Sequence, residues 1–288
     1  MDQKISFPII MKVAKLGIKK WMTSPRMYVV AILAALYLWA PLEQIRIFAM
    51  QQELSVSNWY FPLLWADDNG MIVLFLYFDI ILMFCNAPFV DRQQIFVLLR
   101  SGKKNWFLGQ LLYIVSAAVI YFLYIFVLTI VEFIPYVGFS FRWESVFESL
   151  ANFDYRSVDM HASSMPTELI HNFTPLKAFA LSFLVNVLIT VLLGELIFLV
   201  NLFKNRGYGT GAALAVVLFS WLVGDAVFGS RLNYFSPISW SDITIIFQEN
   251  TGVPLAYILS VLIFGDILLA ILIMYRGRHY NIEAMEEI

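Results

Sequence analysis

Apolar residues in this chain are gathered into six stretches, at 27–47, 71–87, 106–133, 176–203, 209–228 and 254–275. A helix needs about 20 predominantly apolar residues to cross the hydrocarbon of a bilayer. The pattern therefore predicts an all-α polytopic membrane protein with six transmembrane helices. Composition leaves little room for a soluble alternative. Hydrophobic residues make up 60% of the 288 and charged residues 14%, with a mean hydropathy of +0.75, so polar side chains are too few to cover a globule of this size. The stretches at 106–133 and 176–203 exceed the bilayer requirement, which predicts tilt or helical extension beyond it. No soluble domain, low-complexity segment or internal repeat interrupts the pattern, so residues 1–288 form a single domain.

Charge placement orients the spans. With six crossings and both termini cytoplasmic, fourteen of the 19 Lys and Arg lie inside, and only Arg46, Arg142, Arg156, Lys177 and Arg231 lie outside. Pro41, Glu43 and Arg46 interrupt the first span, but removing it would send six N-terminal positive charges to the wrong side. The stretch from Tyr28 leads to Leu38, Trp39 and Pro41 rather than to a small-residue cleavage site, which predicts an uncleaved span. Cys85 is the single cysteine and can form no internal disulfide. A net charge of −2, with no run that joins dense Lys/Arg to aromatics, speaks against a nucleic-acid partner.

Polar segments between the spans carry their own periodicity. Over 9–22, Ile10, Val13, Ala14, Gly17 and Trp21 share one helical side, and Lys12, Lys15 and Lys19 another. This predicts an amphipathic helix lying on the inner membrane surface. The segment 91–110, DRQQIFVLLRSGKKNWFLGQ, predicts a short amphipathic helix and a new helix start. Pro88 stops the preceding span and Asp91 caps the next turn, while Ile95, Phe96, Leu98 and Leu99 form an apolar side. Gly102 ends the helix. Arg92, Arg100, Lys103 and Lys104 place positive charge at the membrane face before Trp106 re-enters the apolar layer. A plain topology loop is the competing reading.

The outer connection 134–175 is long, with Trp143, Val146, Phe147, Leu150 and Phe153 on one helical side, and predicts a surface-lying helix. A second signal lies in 229–253, where Ser239 caps a turn with Asp242 three residues on, ahead of Ile243, Ile246 and Phe247. Both roof a pathway or pack at the lipid interface.

Catalytic signatures are absent. The chain has no G-x-x-x-x-G-K-[ST], H-E-x-x-H or G-x-S-x-G and no clustered Cys/His ligands, so no metal site or resident cofactor is expected and the chain is not itself an enzyme. Gly207, Gly209 and Gly211 are read as a turn and, with Ala212 and Ala215, as a close-packing start to the fifth span. His161 and His171 beside Asp159 and Glu168 lack paired ligand spacing, and Ser163 next to them makes no triad. Carboxylates inside the spans weigh more. Asp79, Glu195 and Asp266 sit within spans two, four and six, and Asp225 toward the outer end of span five. Each central acid costs roughly 2.5–3.5 kcal/mol, so each is expected to face inward as pathway lining or interhelical glue, and Asn186 and Asn201 on span four are expected to supply hydrogen bonds across helices.

The order of these features resembles the permease subunits of ABC-2 type ATP-binding-cassette transporters. The resemblance rests on the basic surface helix, the SPRMYV entry to span one, the LLRSGKKNWFLGQLL run and, more loosely, YFSPISW before span six. It implies a coupling helix at 91–103 that docks on a separate ATPase subunit, the N-terminal helix beside that subunit, and a dimer of permeases on a dimer of ATPases. ATP and Mg would be bound by the ATPase partner and not by this chain. The resemblance further implies a bacterial plasma-membrane location and export of an amphipathic or hydrophobic cargo, such as a peptide, lipid-linked molecule or drug. Alternatives are an ion-gradient-driven secondary transporter or channel working through the intramembrane acids, and a non-transporting scaffold or sensor.

Overall fold

A computed structural model describes residues 4–66, 70–89, 92–144, 146–147, 166–203, 207–224, 230–248 and 252–278. The described chain is helical, with one two-residue strand pair. Its helices are α1 Phe7–Met22, α2 Pro25–Gln52, α3 Phe61–Leu64, α4 Met71–Phe84, α5 Arg92–Ser101, α6 Lys103–Glu132, α7 Thr167–Asn172, α8 Pro175–Phe203, α9 Tyr208–Gly224 and α10 Leu255–Arg278. Four of them, α2, α6, α8 and α10, are long and apolar enough to cross a membrane, whereas α4 and α9 are shorter apolar helices.

Contacts distant in sequence gather one end of the bundle. The Ser6 backbone N–H donates to Asn105 Oδ1 at 2.9 Å, and Asn201 Nδ2 donates to the Ala87 carbonyl at 2.8 Å. Gly277 lies against the Phe107 ring. Lys4, Lys12, Lys15, Lys19, Lys20, Arg26, Arg100, Lys103, Lys104, Arg276 and Arg278 all belong to this basic end. The far end is tied by a different set. Strand β1 (Val56–Ser57) pairs in parallel with β2 (Val137–Gly138), and Trp143 Nε1 donates to the Phe173 carbonyl at 2.9 Å. Tyr257 donates to the Tyr234 carbonyl at 3.0 Å. Between these ends α2, α4, α6, α8, α9 and α10 run alternately up and down.

Short α4 and α9 leave depth to fill, and connecting segments fill it. At 14 residues α4 is about 21 Å long, well under the hydrocarbon thickness of a bilayer. Helix α3 and Trp65 turn back into the bundle, where Phe61 stacks edge-on with Trp65, Phe122, Phe126 and Phe179 at ring separations of 5.4–6.4 Å. Residues 230–248 form three 3-10 turns, Ser230–Phe235, Ile238–Ser241 and Ile243–Phe247. These turns bury Ile238, Trp240, Ile243 and Ile245. This corrects the expected surface amphipathic helix in 229–253: the segment is an inserted plug. Asp242 rather than Ser239 is its cap, accepting from the Thr244 backbone N–H at 2.8 Å and from its hydroxyl at 2.7 Å.

Helix faces follow the apolar pattern with local corrections. Helix α2 runs through Pro41 to Gln52, past the interruption at 41–46, and Glu43 and Arg46 pair at 3.6 Å on its surface. The close seam at the start of α9 uses Gly209, whose Cβ would run into the Ile197 carbonyl, and buried Ala213. Gly211 faces open space and Ala215 is exposed, because the helix turns them away from α8. Of the side proposed for 134–175, Trp143, Val146 and Phe147 are buried. Leu150, Phe153, His161, Asp159 and Ser163 lie outside the described residues, and His171 is exposed on α7.

Outward faces of α2 and α10 are apolar, with Tyr28, Ile32 and Leu36 on one and Phe264, Ile267 and Ile271 on the other. Continuous apolar faces of this kind suit lipid rather than water.

Candidate functional site

The basic end presents an amphipathic surface built on three helices. Helix α5 and helix α6 meet at Gly102, which holds φ +77° and ψ 151°, a left-handed backbone that favours glycine. This corner makes Lys103 the first residue of α6 rather than the last of the expected 91–103 helix.

One side of α5 is fastened to α6. Gln94 is buried and its Oε1 accepts from Trp106 Nε1 at 3.0 Å. Leu98 is buried, and Ser101 donates back to the Val97 carbonyl at 2.7 Å. Asn105 then donates to the Ser101 carbonyl at 2.9 Å and to the Lys4 carbonyl at 3.2 Å, so one amide ties α5, α6 and the entry to α1. The other side of α5 is open. Phe96 is 73% exposed and Leu99 60% exposed, with Arg100 beside them.

The four apolar residues expected to act as one face are thus divided: Leu98 packs inward, Ile95 is half-buried, and Phe96 and Leu99 point out. Asp91 lies outside the described residues, and Arg92 begins the helix.

Helix α1 lies along the first half of α6 through small residues. A Cβ on Gly109 would meet Val13 at 2.6 Å, and one on Gly17 would meet the Tyr113 ring at 2.9 Å. Ile10, Val13 and Ala14 are buried in this contact, with Trp21 half-buried, and Lys12, Lys15 and Lys19 are exposed on the opposite side. A third, apolar flank carries exposed Phe7, Met11 and Met22. That division into packed, apolar and cationic strips suits a helix at a lipid–water boundary.

The acids expected within the spans are buried but dispersed. Asp79 is 2% exposed on α4, within reach of the Tyr121 hydroxyl and facing Tyr37 and Tyr124 from α2 and α6. Glu195, 3% exposed on α8, lies close enough to Asp266 on α10 for their charges to interact. Each of the three acids has a buried carboxyl oxygen without a hydrogen-bond partner. The structure brings Glu195 and Asp266 together and leaves Asp79 in a separate tyrosine-lined position. Asp225 lies outside the described residues.

Asn186 joins α8 to the inserted plug. Its Oδ1 accepts from Tyr77 at 2.9 Å, and its Nδ2 reaches the Ser182 and Ser241 carbonyls at 2.8 and 3.5 Å. Asn201 is a second cross-link, accepting from the Gly209 N–H at 2.9 Å.

Sequence reasoning missed Asn105, Gln94 and the inserted α3. Asn105 left no periodic signal. The run NWYFPLLW in an expected outer loop was a visible one, being too apolar for a solvated turn and too short to span. Among the described residues no group of His, Cys, Asp and Glu could hold a metal ion. Compared with known proteins, the chain matches no family model, no curated protein and no solved structure.

Proposed function

We propose that this chain is the permease subunit of an ATP-driven exporter of ABC-2 type. In this reading α2, α4, α6, α8, α9 and α10 cross a bacterial plasma membrane, and the basic end faces the cytoplasm. A separate ATPase subunit binds ATP and Mg and docks on α5, and a second permease chain completes the assembly. The observation that carries the reading is the divided face of α5: Phe96 and Leu99 stand outward while Gln94, Leu98 and Asn105 lock the same helix to α6 and α1. A force on the outward side is passed to α6 and α1 through packed side chains and hydrogen bonds rather than absorbed in a loop. Rigid-body motion of this kind is a familiar way to switch access. Positive charge at the same end supports the orientation.

Cargo in this reading is amphipathic or hydrophobic, in keeping with the apolar helix faces and the aromatic far end. The test replaces Phe96 and Leu99 with Asp in the full chain, co-expressed with its neighbouring ATPase. Loss of ATPase co-purification and transport from a folded, membrane-inserted variant is expected. Unchanged capture and transport overturns the docking role.

Proximity of Glu195 and Asp266, each with an unpartnered carboxyl oxygen, favours a second reading, an ion-gradient-driven transporter. That reading requires transport without any ATPase partner that is lost in Glu195→Gln and Asp266→Asn. Transport that needs the ATPase and survives both changes eliminates it.

A further inference from the structure

At the basic end, α1, the start of α2, the end of α4, α5 and α6 enclose a cavity of about 300 Å3. Of the residues discussed above, Gly17, Lys20, Trp21, Arg26, Gln94 and Tyr113 border it. We infer that this cavity binds a phosphate-bearing anion, with the headgroup of an anionic phospholipid as its occupant.

The wall is rich in donors and cationic. Arg26 and Lys20 both border it, and among the described residues no acid does. Among the described residues Arg26 is held in place by neutral acceptors: Nη1 donates to Cys85 Sγ at 3.1 Å, and the Asn86 side-chain oxygen accepts from Nη1 and Nη2 at 3.0 and 2.9 Å. These contacts orient the guanidinium without neutralising it.

The second observation is independent of the charges. Gln110 borders the cavity, is 1% exposed, and neither its Oε1 nor its Nε2 has a hydrogen-bond partner. The indole Nε1 of Trp21, also on the wall, is likewise buried and unpartnered. Leaving a buried polar group unsatisfied is costly, so two at one cavity mark a place built to receive hydrogen bonds. Trp21 and Gln110 Nε2 supply donors for phosphate oxygens, and Gln110 Oε1 an acceptor for a headgroup hydroxyl.

Apolar groups decide between a lipid and a free phosphate. Met27, Met83 and Phe89 complete the wall, and Met22, Tyr28 and Val29 expose apolar surface at the adjoining turn from α1 to α2. A headgroup in the cavity would leave its acyl chains along that turn. The two cations disfavour a quaternary ammonium head despite the nearby aromatic rings.

The test uses the full chain, delipidated in neutral detergent, without any ATPase, so its outcome is separate from that of the exporter reading. Binding of phosphatidylglycerol, phosphatidylcholine, glycerol 1-phosphate and inorganic phosphate is followed by native mass spectrometry and thermal shift. One tightly held phosphatidylglycerol per chain, with phosphatidylcholine bound at least about tenfold more weakly, is expected. Arg26→Gln should weaken phosphatidylglycerol by about tenfold or more. Should that variant fold poorly, Lys20→Gln and Gln110→Leu carry the test. Gln110→Leu should preserve or raise the melting temperature of the lipid-free chain while reducing lipid affinity. If inorganic phosphate or glycerol 1-phosphate binds as tightly and with the same sensitivity to Arg26→Gln, the phosphate site stands and the lipid assignment falls. Equal binding of both lipids, or wild-type phosphatidylglycerol affinity in Lys20→Gln and Gln110→Leu, overturns the site.

Discussion

The basic end and the far end of this bundle both carry aromatic and aliphatic side chains, yet their connecting segments pack differently. At the far end, α3 and the plug at 230–248 turn back to bury Phe61, Trp65 and Trp240, and the β1–β2 pair ties the connection that holds α3 to the one that follows α6. At the basic end, α5 and α1 leave Phe96, Leu99, Phe7 and Met11 exposed beside cations. The far end buries this cluster within one chain, while Phe139, Phe141 and Phe235 remain exposed there. The basic end is rigidly braced inside and left open outside, which is the arrangement expected of a surface that receives force or ligand from elsewhere.

This contrast can be broken in order of expected effect on fold stability. Phe61→Ala removes the centre of the far-end aromatic cluster and should destabilise the chain by about 3–5 kcal/mol in detergent unfolding, the usual cost of truncating a buried aromatic. A smaller loss would mean that the inserted helix is only loosely packed. Gly109→Val forces a side chain into Val13, and overpacking of this kind costs about 1–3 kcal/mol. Hydrogen exchange should then speed up in α1 and remain unchanged at 59–65. A uniform rise at both ends would show that the ends are not separately built.

Tyr77→Phe removes the hydroxyl that reaches Asn186 and should cost about 1 kcal/mol, measured in the same unfolding assay. At the bottom of the scale, Phe96→Asp with Leu99→Asp should shift stability by less than about 0.5 kcal/mol, because both side chains are exposed. Complete loss of ATPase capture from so small a change in stability would sharpen the contrast more than any core mutation.

Much of the basic end was legible because its signals are local. Ile10, Val13 and Ala14 fall on one side of a 3.6-residue repeat and are the residues buried, and Lys12, Lys15 and Lys19 fall opposite. Gly102 marked the corner between α5 and α6 because a left-handed backbone there tolerates little else. The division of 95–99 was not legible. In a ten-residue helix, Leu98 and Leu99 are equally good candidates for burial until Trp106 and α6 choose a side. Gly209 and Gly211 posed the same problem, since only the position of α8 tells which of them needs to lack a side chain. At 236–247 the apolar run was visible, but Ser239 followed by Asp242 mimicked a helix cap. The true cap, Asp242, depends on a 3-10 turn that periodicity cannot distinguish in so short a stretch.

The sequence by itself determined that the chain is helical, that its apolar mass lies in long segments, and that cations collect in particular connections. Hydropathy and charge are summed along the chain, so they survive without knowledge of neighbours. Only the tertiary structure decided which connections turn inward, that Glu195 meets Asp266 while Asp79 does not, and that Arg26 and Gln110 share one cavity. Those outcomes depend on how each helix is rotated and crossed against the next. That rotation is set by the fit of side chains such as Val13 on Gly109 or Ile114 on Gly194, a property of pairs rather than of any one segment.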